Sequence, residues 1–420
     1  LRNAIKFYSQ FTFYILKKIL IITPTPTHPP VAGNRAAVLA LANELINAGH
    51  EVHCLYIPAE DYNKEEMSAF FKGNFYSFEW EKLNKRKLKI EYYQKRIFQK
   101  LKGIKLFFME KMGSSNVESY QYNRKIDGNL TAFVKKFTKA IARQHKFDIV
   151  ICEYVWISGL LNYFPKSTFK IIDTHDRFSN RYLVYKKMNR TPEWDSLFPK
   201  EEAKGLKRAD LIIALNEEEK EYFEKISGKK TVIRLPISMN KPLAVKTFSN
   251  KLLYFASDNV INQTSIVKFL EEVFPLVLKE VPSVQLLVGG TICNKLTNLP
   301  SNVLLMGLFT DPSDFYNLGD IIVNPEIGGT GFKIKTFEGL SYGMPVVCSI
   351  GGAAGVADVV NEHLMIVNNS DEFADSIIKL CKDDSMRNEL SLRAYAWAKK
   401  MSDKNTTEFL SSLELDLNER

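Results

Sequence analysis

The sequence has no uninterrupted apolar run of the roughly 18 residues that a membrane-spanning helix needs, so no span is expected. It holds only five cysteines and six histidines in 420 residues. No Cys-x-x-Cys pair or His/Cys cluster occurs, so no metal is expected. The cysteines (Cys54, Cys152, Cys293, Cys348, Cys381) are odd in number and widely spaced. Three of them (Cys54, Cys152, Cys348) sit in apolar strand-like runs, the pattern of reduced core thiols, which favours the cytoplasm. Neither half carries Gly-x-Gly-x-x-Gly after its first apolar run, which disfavours a nicotinamide-linked dehydrogenase. Zinc-finger spacing and an aromatic-rich RNA-binding signature are also missing, so nucleic acid is not expected as a partner. There is no convincing Asp-x-Asp on a strand end, and no internal repeat. The start, LRNAIKFYSQFTFYILKK, is aromatic and basic but lacks a small-residue cleavage site. A short amphipathic lead-in helix fits it better than a signal peptide.

What is present is the composition of a folded protein: 45% apolar and 25% charged residues. Net charge is +9. A basic surface suits an anionic partner such as a nucleotide diphosphate or a phospholipid headgroup. The length suggests about two or three domains.

The first unit opens with the apolar run Ile19–Ile22, a Pro-rich loop ending in Gly33-Asn34, a helix-period segment closed at Gly49, and a strand over Glu51–Ile57. That is a βαβ opening and implies a parallel sheet. Residues 60–147 are rich in Lys, Arg, Phe and Tyr, and 81–105 is strongly basic. It reads either as a solvated helical face or as a surface that meets a membrane or an anionic lipid acceptor. Strands resume at 148–152, 170–173, 210–215 and 230–235, and ISMNKPLAVKTFSN reads as a linker. A second alternation follows: strand 252–255, helix Ile266–Lys279, strands 284–288, 303–306 and 320–324, helix Lys335–Tyr342, strand 345–349, and a helical tail over Asp371–Met401. The expected fold is α/β, with two Rossmann-like domains facing across a cleft. Residues 1–240 form the first domain and 250–395 the second, and a helix over 396–420 packs back toward the first.

In parallel sheets ligands bind beyond the carboxyl ends of the strands. Four such loops stand out. PPVAGN (29–34) ends in Gly33 at a strand-to-helix turn, where amides and the helix N-terminus can meet an anion, with Arg35 adding charge. DTHDRFSNR (173–181) places His175 among acids, and a neighbouring Asp can orient it. EIGGTGFKIKTFEGLSYGMPVV (326–347) crowds glycines before a helix that carries Lys333, Lys335 and Glu338. Amides and fixed positive charge there suit a departing diphosphate, and the carboxylate suits ribose hydroxyls. SIGGAAGV (349–356) is either a further amide source or a structural turn.

Over about residues 18–400 the chain resembles the retaining glycosyltransferases of GT-B architecture, family four in particular. KILIITPTPTHPP with its AGN turn, YFASDNVINQTSIVKFLEEVF, NVLLMGLFTDPSDFYNLGDIIVNP and GTGFKIKTFEGLSYGMPVV carry the resemblance. It implies a nucleotide-diphosphate-sugar donor, UDP- or GDP-linked, a glycan or lipid-linked acceptor, no metal, and polysaccharide synthesis at the inner membrane face. Peripheral attachment would run through 81–105. It implies that His175 contacts the donor sugar, that Gly33 and Asn34 lie near the diphosphate, and that Leu308 and Phe309 hold the base by their backbone. Gly329, Thr330, Gly331 and Phe332 would line the donor, Glu338 would bind ribose, and His175, Lys333 and Lys335 would be catalytic. The chain departs from the family's Glu-x7-Glu at its first acid, where Thr330 stands, with Glu326 four residues early. It also has no base after the second domain's first strand until Lys268, which leaves diphosphate stabilisation to Lys333 and Lys335. A nucleotide-sugar epimerase and a non-catalytic binding partner of the same architecture are the alternatives.

Overall fold

The computed structural model describes residues 16–30, 33–78, 100–128, 130–187, 189–192, 195–237, 239–240, 242–243, 248–309, 311–328, 332–357 and 362–418. The expected lead-in helix before Leu16, most of the basic stretch 81–105, and Gly329, Thr330 and Gly331 lie outside these residues.

The first domain is built on a parallel sheet. Its strands are β1 (Lys18–Thr23), β2 (Glu51–Tyr56), β3 (Phe75–Ser77), β5 (Ile149–Glu153), β6 (Phe169–Asp173), β8 (Leu211–Ala214) and β9 (Lys230–Ile233), in the order β3-β2-β1-β5-β6-β8-β9. A two-residue pair, β4 (Asn123–Arg124) with β7 (Ser196–Leu197), stands apart. The central strands are apolar almost without interruption because helices cover both faces of the sheet. The helix Gly33–Asn47 follows β1, and Gly49 at φ +91° turns the chain back into β2, a conformation that favours glycine.

The second domain repeats the plan with β10 (Lys251–Phe255), β11 (Gln285–Gly289), β12 (Val303–Gly307), β13 (Ile321–Asn324), β14 (Val346–Ser349) and β15 (Met365–Val367), in the order β12-β11-β10-β13-β14-β15. In each sheet the chain winds outward from its first strand, then reverses. The reversal falls between β1 and β5 in one domain and between β10 and β13 in the other. Such switch points open a crevice beyond the strand ends, because the two connections leave in opposite directions.

Two helices differ from expectation. The one expected over Ile266–Lys279 is two, Val260–Glu272 and Phe274–Glu280. Pro275 has no N–H to continue the first ladder and sits in the opening turn of the second helix. The tail is likewise two helices, Ser370–Lys382 and Asp384–Asn418, with Asp383 extended between them. The second, 35 residues long, reaches about 52 Å at 1.5 Å per residue. Its Ala394 and Ala398 pack in the second domain's core with Leu340 and Tyr342. Its Phe409 and Leu413 pack in the first domain's core with Ile19 and Leu41. One helix therefore ties the two domains together.

Within 60–147, β3 extends the first sheet and Thr131 caps the helix Ala132–Gln144 through Val134 N–H. Residues 100–111 are helical, with Leu101, Ile104, Phe107 and Phe108 exposed. No helix among the described residues is long and apolar enough to cross a membrane. None of the five cysteines is in a disulfide.

Candidate functional site

The second domain's crevice lies at the switch point between β10 and β13. Glu326, just beyond β13, is buried and accepts two lysines, Lys333 Nζ at 2.7 Å on Oε1 and Lys335 Nζ at 3.2 Å on Oε2. Lys335 also donates to Asn262 Oδ1 at 2.6 Å, from the helix after β10, and lies 5.2 Å from the centre of the Tyr254 ring. Burial opposes the charge of Glu326, but Lys335 and Lys333 outweigh it and hold the carboxyl below its ordinary range. Burial pushes Lys335 down, against the pull of Glu326. These three side chains bring two cations and one anion to the N-terminus of the helix Ile334–Ser341.

Glu338, one turn into that helix, accepts from Tyr316 Oη at 2.8 Å. Burial pushes its carboxyl up to about 7, while the Tyr316 bond pulls the other way. Tyr316 packs beside Phe315, which meets Phe309 at 5.3 Å between ring centres. The expected base-binding segment therefore adjoins the expected ribose acid. Leu308 is exposed. The Phe332 side chain is buried against Phe337, so only its backbone is free to meet a ligand.

The loop 349–356 is a packing element. A Cβ on Gly351 would fall 2.4 Å from Glu326 O, and one on Gly352 2.4 Å from Asn324 O. Gly352 O accepts from Thr336 Oγ1 at 2.7 Å and from Asn324 Nδ2 at 3.3 Å. The loop's glycines are needed for that close approach.

The first domain's crevice lies between the ends of β1 and β5, with β6 next in the sheet. Glu153 ends β5 and Asp173 ends β6, facing each other in register. His175 Nε2 hydrogen-bonds Glu153 Oε2. The His175 ring stacks on Tyr154, with 4.3 Å between centres. Tyr154 Oη is bonded to Thr25 and Asn34, which joins the loop after β1 to the end of β5. Both Tyr154 (φ +69°) and His175 (φ +58°) hold left-handed backbone, which costs free energy in a side chain of this size. The oxygen and nitrogen atoms of Glu153, Asp173 and His175 lie within 4.8 Å of one another. His175 Nε2 is already committed to Glu153, so the cluster is a hydrogen-bonded acid–imidazole pair.

One expectation is corrected here. Arg35 adds no charge to the crevice: it folds back to Glu60 at 2.7 Å and to the carbonyls of Pro29 and Asp61. Those acceptors satisfy the buried guanidinium. Of the two neighbouring acids, Asp173 lies in the cluster with His175, while Asp176 pairs with Arg181 at 2.6 Å and accepts from Arg177 N–H. Glu153, which sequence reasoning missed, makes the hydrogen bond to His175. Its one signal is an acid ending an otherwise apolar run, ICEY.

The two crevices meet. A Cβ on Gly33 would come 3.0 Å from Ile334 Cδ1, at the start of the second domain's helix Ile334–Ser341. Beside this junction opens a cleft of about 1150 Å³, lined by Arg177, Arg181 and Asn216 from one domain, Gly328 and Gly355 from the other, and Trp397 of the bridging helix. His175, Lys333 and Glu338 lie outside its lining.

Comparison with known proteins places this geometry. Residues 249–383, most of the second domain, match the family model of Glycosyl transferases group 1. The two-domain fold is that of GT-B glycosyltransferases. TarM of S. aureus superposes with a TM-score of 0.62 at 14% identity, covering 96% of this chain and 99% of that one. HepE of Anabaena, in complex with UDP and glucose, gives 0.61 at 13% identity over 95% and 100%. Sucrose-phosphate synthase from Thermosynechococcus elongatus gives 0.64 at 13% over 96% and 100%. In sequence, an uncharacterized 44.6 kDa protein in the cps region of Klebsiella pneumoniae is 28% identical over 147 residues, 32% of this chain. A poly(glycerol-phosphate) alpha-glucosyltransferase of Bacillus subtilis is 27% identical over 214 residues, 47% of this chain. These matches span 38% and 32% of the two relatives' lengths.

Proposed function

We propose that the protein is a glycosyltransferase that moves a sugar from a nucleotide diphosphate to a glycan or lipid-linked acceptor, with retention, in surface-polysaccharide synthesis. The observation that carries this reading is the meeting of Lys333, Lys335 and Glu326 at a helix N-terminus, on the switch point of the domain that matches the group 1 model. Such a place stabilises the charge that develops on a leaving diphosphate. Lys333 and Lys335 are the electrostatic catalysts, and Glu338 takes the ribose hydroxyls. His175 meets the donor sugar across the Gly33–Ile334 junction. The diphosphate oxygen that departs receives the acceptor's proton on the face where the acceptor enters, so no separate base is assigned, and no metal. The UDP complexes of HepE and TarM support a UDP-sugar, with a GDP-sugar as the other candidate. The name of the Bacillus subtilis relative supports a polymeric acceptor. Five unpaired cysteines favour the cytoplasm. Peripheral contact at the inner membrane face would use the basic stretch 81–105, whose described end presents exposed Leu101 and Ile104 among lysines.

The test is a thermal-shift panel with UDP, GDP, ADP, CMP and NAD on the wild type and on Glu338→Ala. Stabilisation by one nucleotide diphosphate, lost in the variant, is expected and names the base for turnover assays. A shift with NAD alone would sink the reading.

A further inference from the structure

We propose that Glu153 is a positioning residue for His175, taking up Nε2 so that Nδ1–H is the ring donor left to meet an oxygen of the nucleotide sugar. The inference rests on the glycosyltransferase reading for its substrate, and on the crevice geometry for the pair itself. Nε2 bonds Glu153, and Nδ1 makes no hydrogen bond among the described residues. An imidazole bonded to a carboxylate through one nitrogen has its ring orientation fixed by that bond and a proton on the bonded nitrogen, so Nδ1 carries a hydrogen as well when the ring is doubly protonated. Here the carboxylate is fixed too, because Glu153 is fully buried at the end of a central strand.

The surroundings decide the ring's charge. Glu153 faces it from β5 and Asp173 from β6. Arg234, after β9, lies on the other side, already bonded to Glu44 of the helix Gly33–Asn47 at 2.8 Å. Tyr154 covers one ring face. Burial alone would push His175 down, but Asp173 and Glu153 together outweigh it and raise it above its ordinary value. Glu153 Oε1 and Asp173 Oδ1 have no hydrogen-bond partner, so two buried acids lean on one imidazolium for compensation. A protonated ring bonded at Nε2 can only donate from Nδ1. It suits a sugar hydroxyl or phosphoryl oxygen and cannot remove a proton from the acceptor. The left-handed backbone at Tyr154 and His175 fits this role, since strain persists where neighbours over-determine a geometry.

The pair can be read without turnover. Histidine labelled at Cε1 gives one titrating signal per ring, and His175→Asn identifies the one that matters among six. Glu153→Gln keeps the shape and removes the charge. His175 in the wild type is expected to stay protonated at least one pH unit above the point where it deprotonates in E153Q. In assays with the active nucleotide sugar, kcat of E153Q is expected to fall about tenfold at pH 8 and less at pH 6, because an unprotonated ring presents the wrong form of Nδ1. The diphosphate-induced thermal shift should remain, since it arises in the other domain. Glu153→Asp, which keeps the charge but loses one methylene of reach, separates the two effects: the ring stays protonated and kcat still falls. It also serves if E153Q does not fold. An unchanged His175 titration in E153Q, or unchanged kcat in both variants, overturns the proposal. So does a stoichiometric metal ion held by Glu153 in the purified protein. A shifted titration in a protein that turns over no nucleotide sugar supports the pair and sinks the glycosyltransferase reading alone.

Discussion

The two switch points have the same topology and opposite electrostatics. At the β10/β13 point two lysines share one glutamate; at the β1/β5 point two acids, Glu153 and Asp173, share one histidine. The second domain's cluster is nearly satisfied: each lysine has an ion pair and Lys335 also has Asn262. The other leaves two buried carboxylate oxygens unpaired and two side-chain residues in left-handed backbone. One fold plan thus makes a stable cationic seat in one domain and a strained imidazole in the other. The proposed transfer of a sugar from a diphosphate would draw on both, since the diphosphate needs positive charge and the sugar needs directional hydrogen bonds.

Four changes break or sharpen that contrast. The largest effect is expected on the link that holds the crevices together. Phe409→Ala empties a fully buried site in the first domain's core, and denaturant unfolding should show a loss of about 3–5 kcal/mol. If the bridging helix couples the domains, the single transition should also broaden or split. Next, Lys335→Ala removes half of the cationic seat. With the fold intact by circular dichroism, kcat should fall on the order of 10²–10³-fold, as when one preorganised transition-state donor is lost. Near-normal turnover would reduce the contrast to a packing feature.

Third, Glu338→Gln tests stability against function. The folded carboxyl sits at about 7 against an ordinary 4.5, so the native state binds more protons than the unfolded chain across that window. Native stability from this group is therefore lost as pH rises from 4.5 through 7. The variant escapes that loss and should be more stable than wild type by up to about 3 kcal/mol at pH 8, with no gain near pH 4.5. It should also lose the stabilisation by nucleotide diphosphate. The smallest change is Gly33→Ala. Its new methyl meets only the flexible end of Ile334, so a rise of about two- to threefold in donor KM is expected, with stability within about 1 kcal/mol. Unchanged kinetics even for Gly33→Val would mean that the junction does not form during turnover.

Much of this was legible in the residues. Ile19–Ile22, Asp148–Cys152 and Leu252–Phe255 read as strands because a sheet covered on both faces tolerates continuous apolar runs. Lys333, Lys335 and Glu338 stood out because glycines, lysines and a helix start fall within one short stretch. The break at Pro275 was not read, because helical periodicity runs on through Ile266–Lys279 while the missing N–H ends the ladder. Arg35 misled: a cation after a glycine turn looks like an anion site, but side-chain reach sent it to Glu60. Nearness in sequence does not tell Asp173, which lies in the cluster with His175, from Asp176, which pairs with Arg181.

The sequence by itself determined the alternation of strands and helices, and with it the two parallel sheets, since periodicity and chain length are local properties. It also determined which loop carries the lysines. The tertiary structure alone decided which groups meet. Glu153 and His175 are 22 positions apart and touch because β5 and β6 end in register. Glu326 and Asn262 meet at Lys335 because β10 and β13 are neighbours in the sheet. Strand order is set by long-range packing and the handedness of crossovers, which no short window of residues contains.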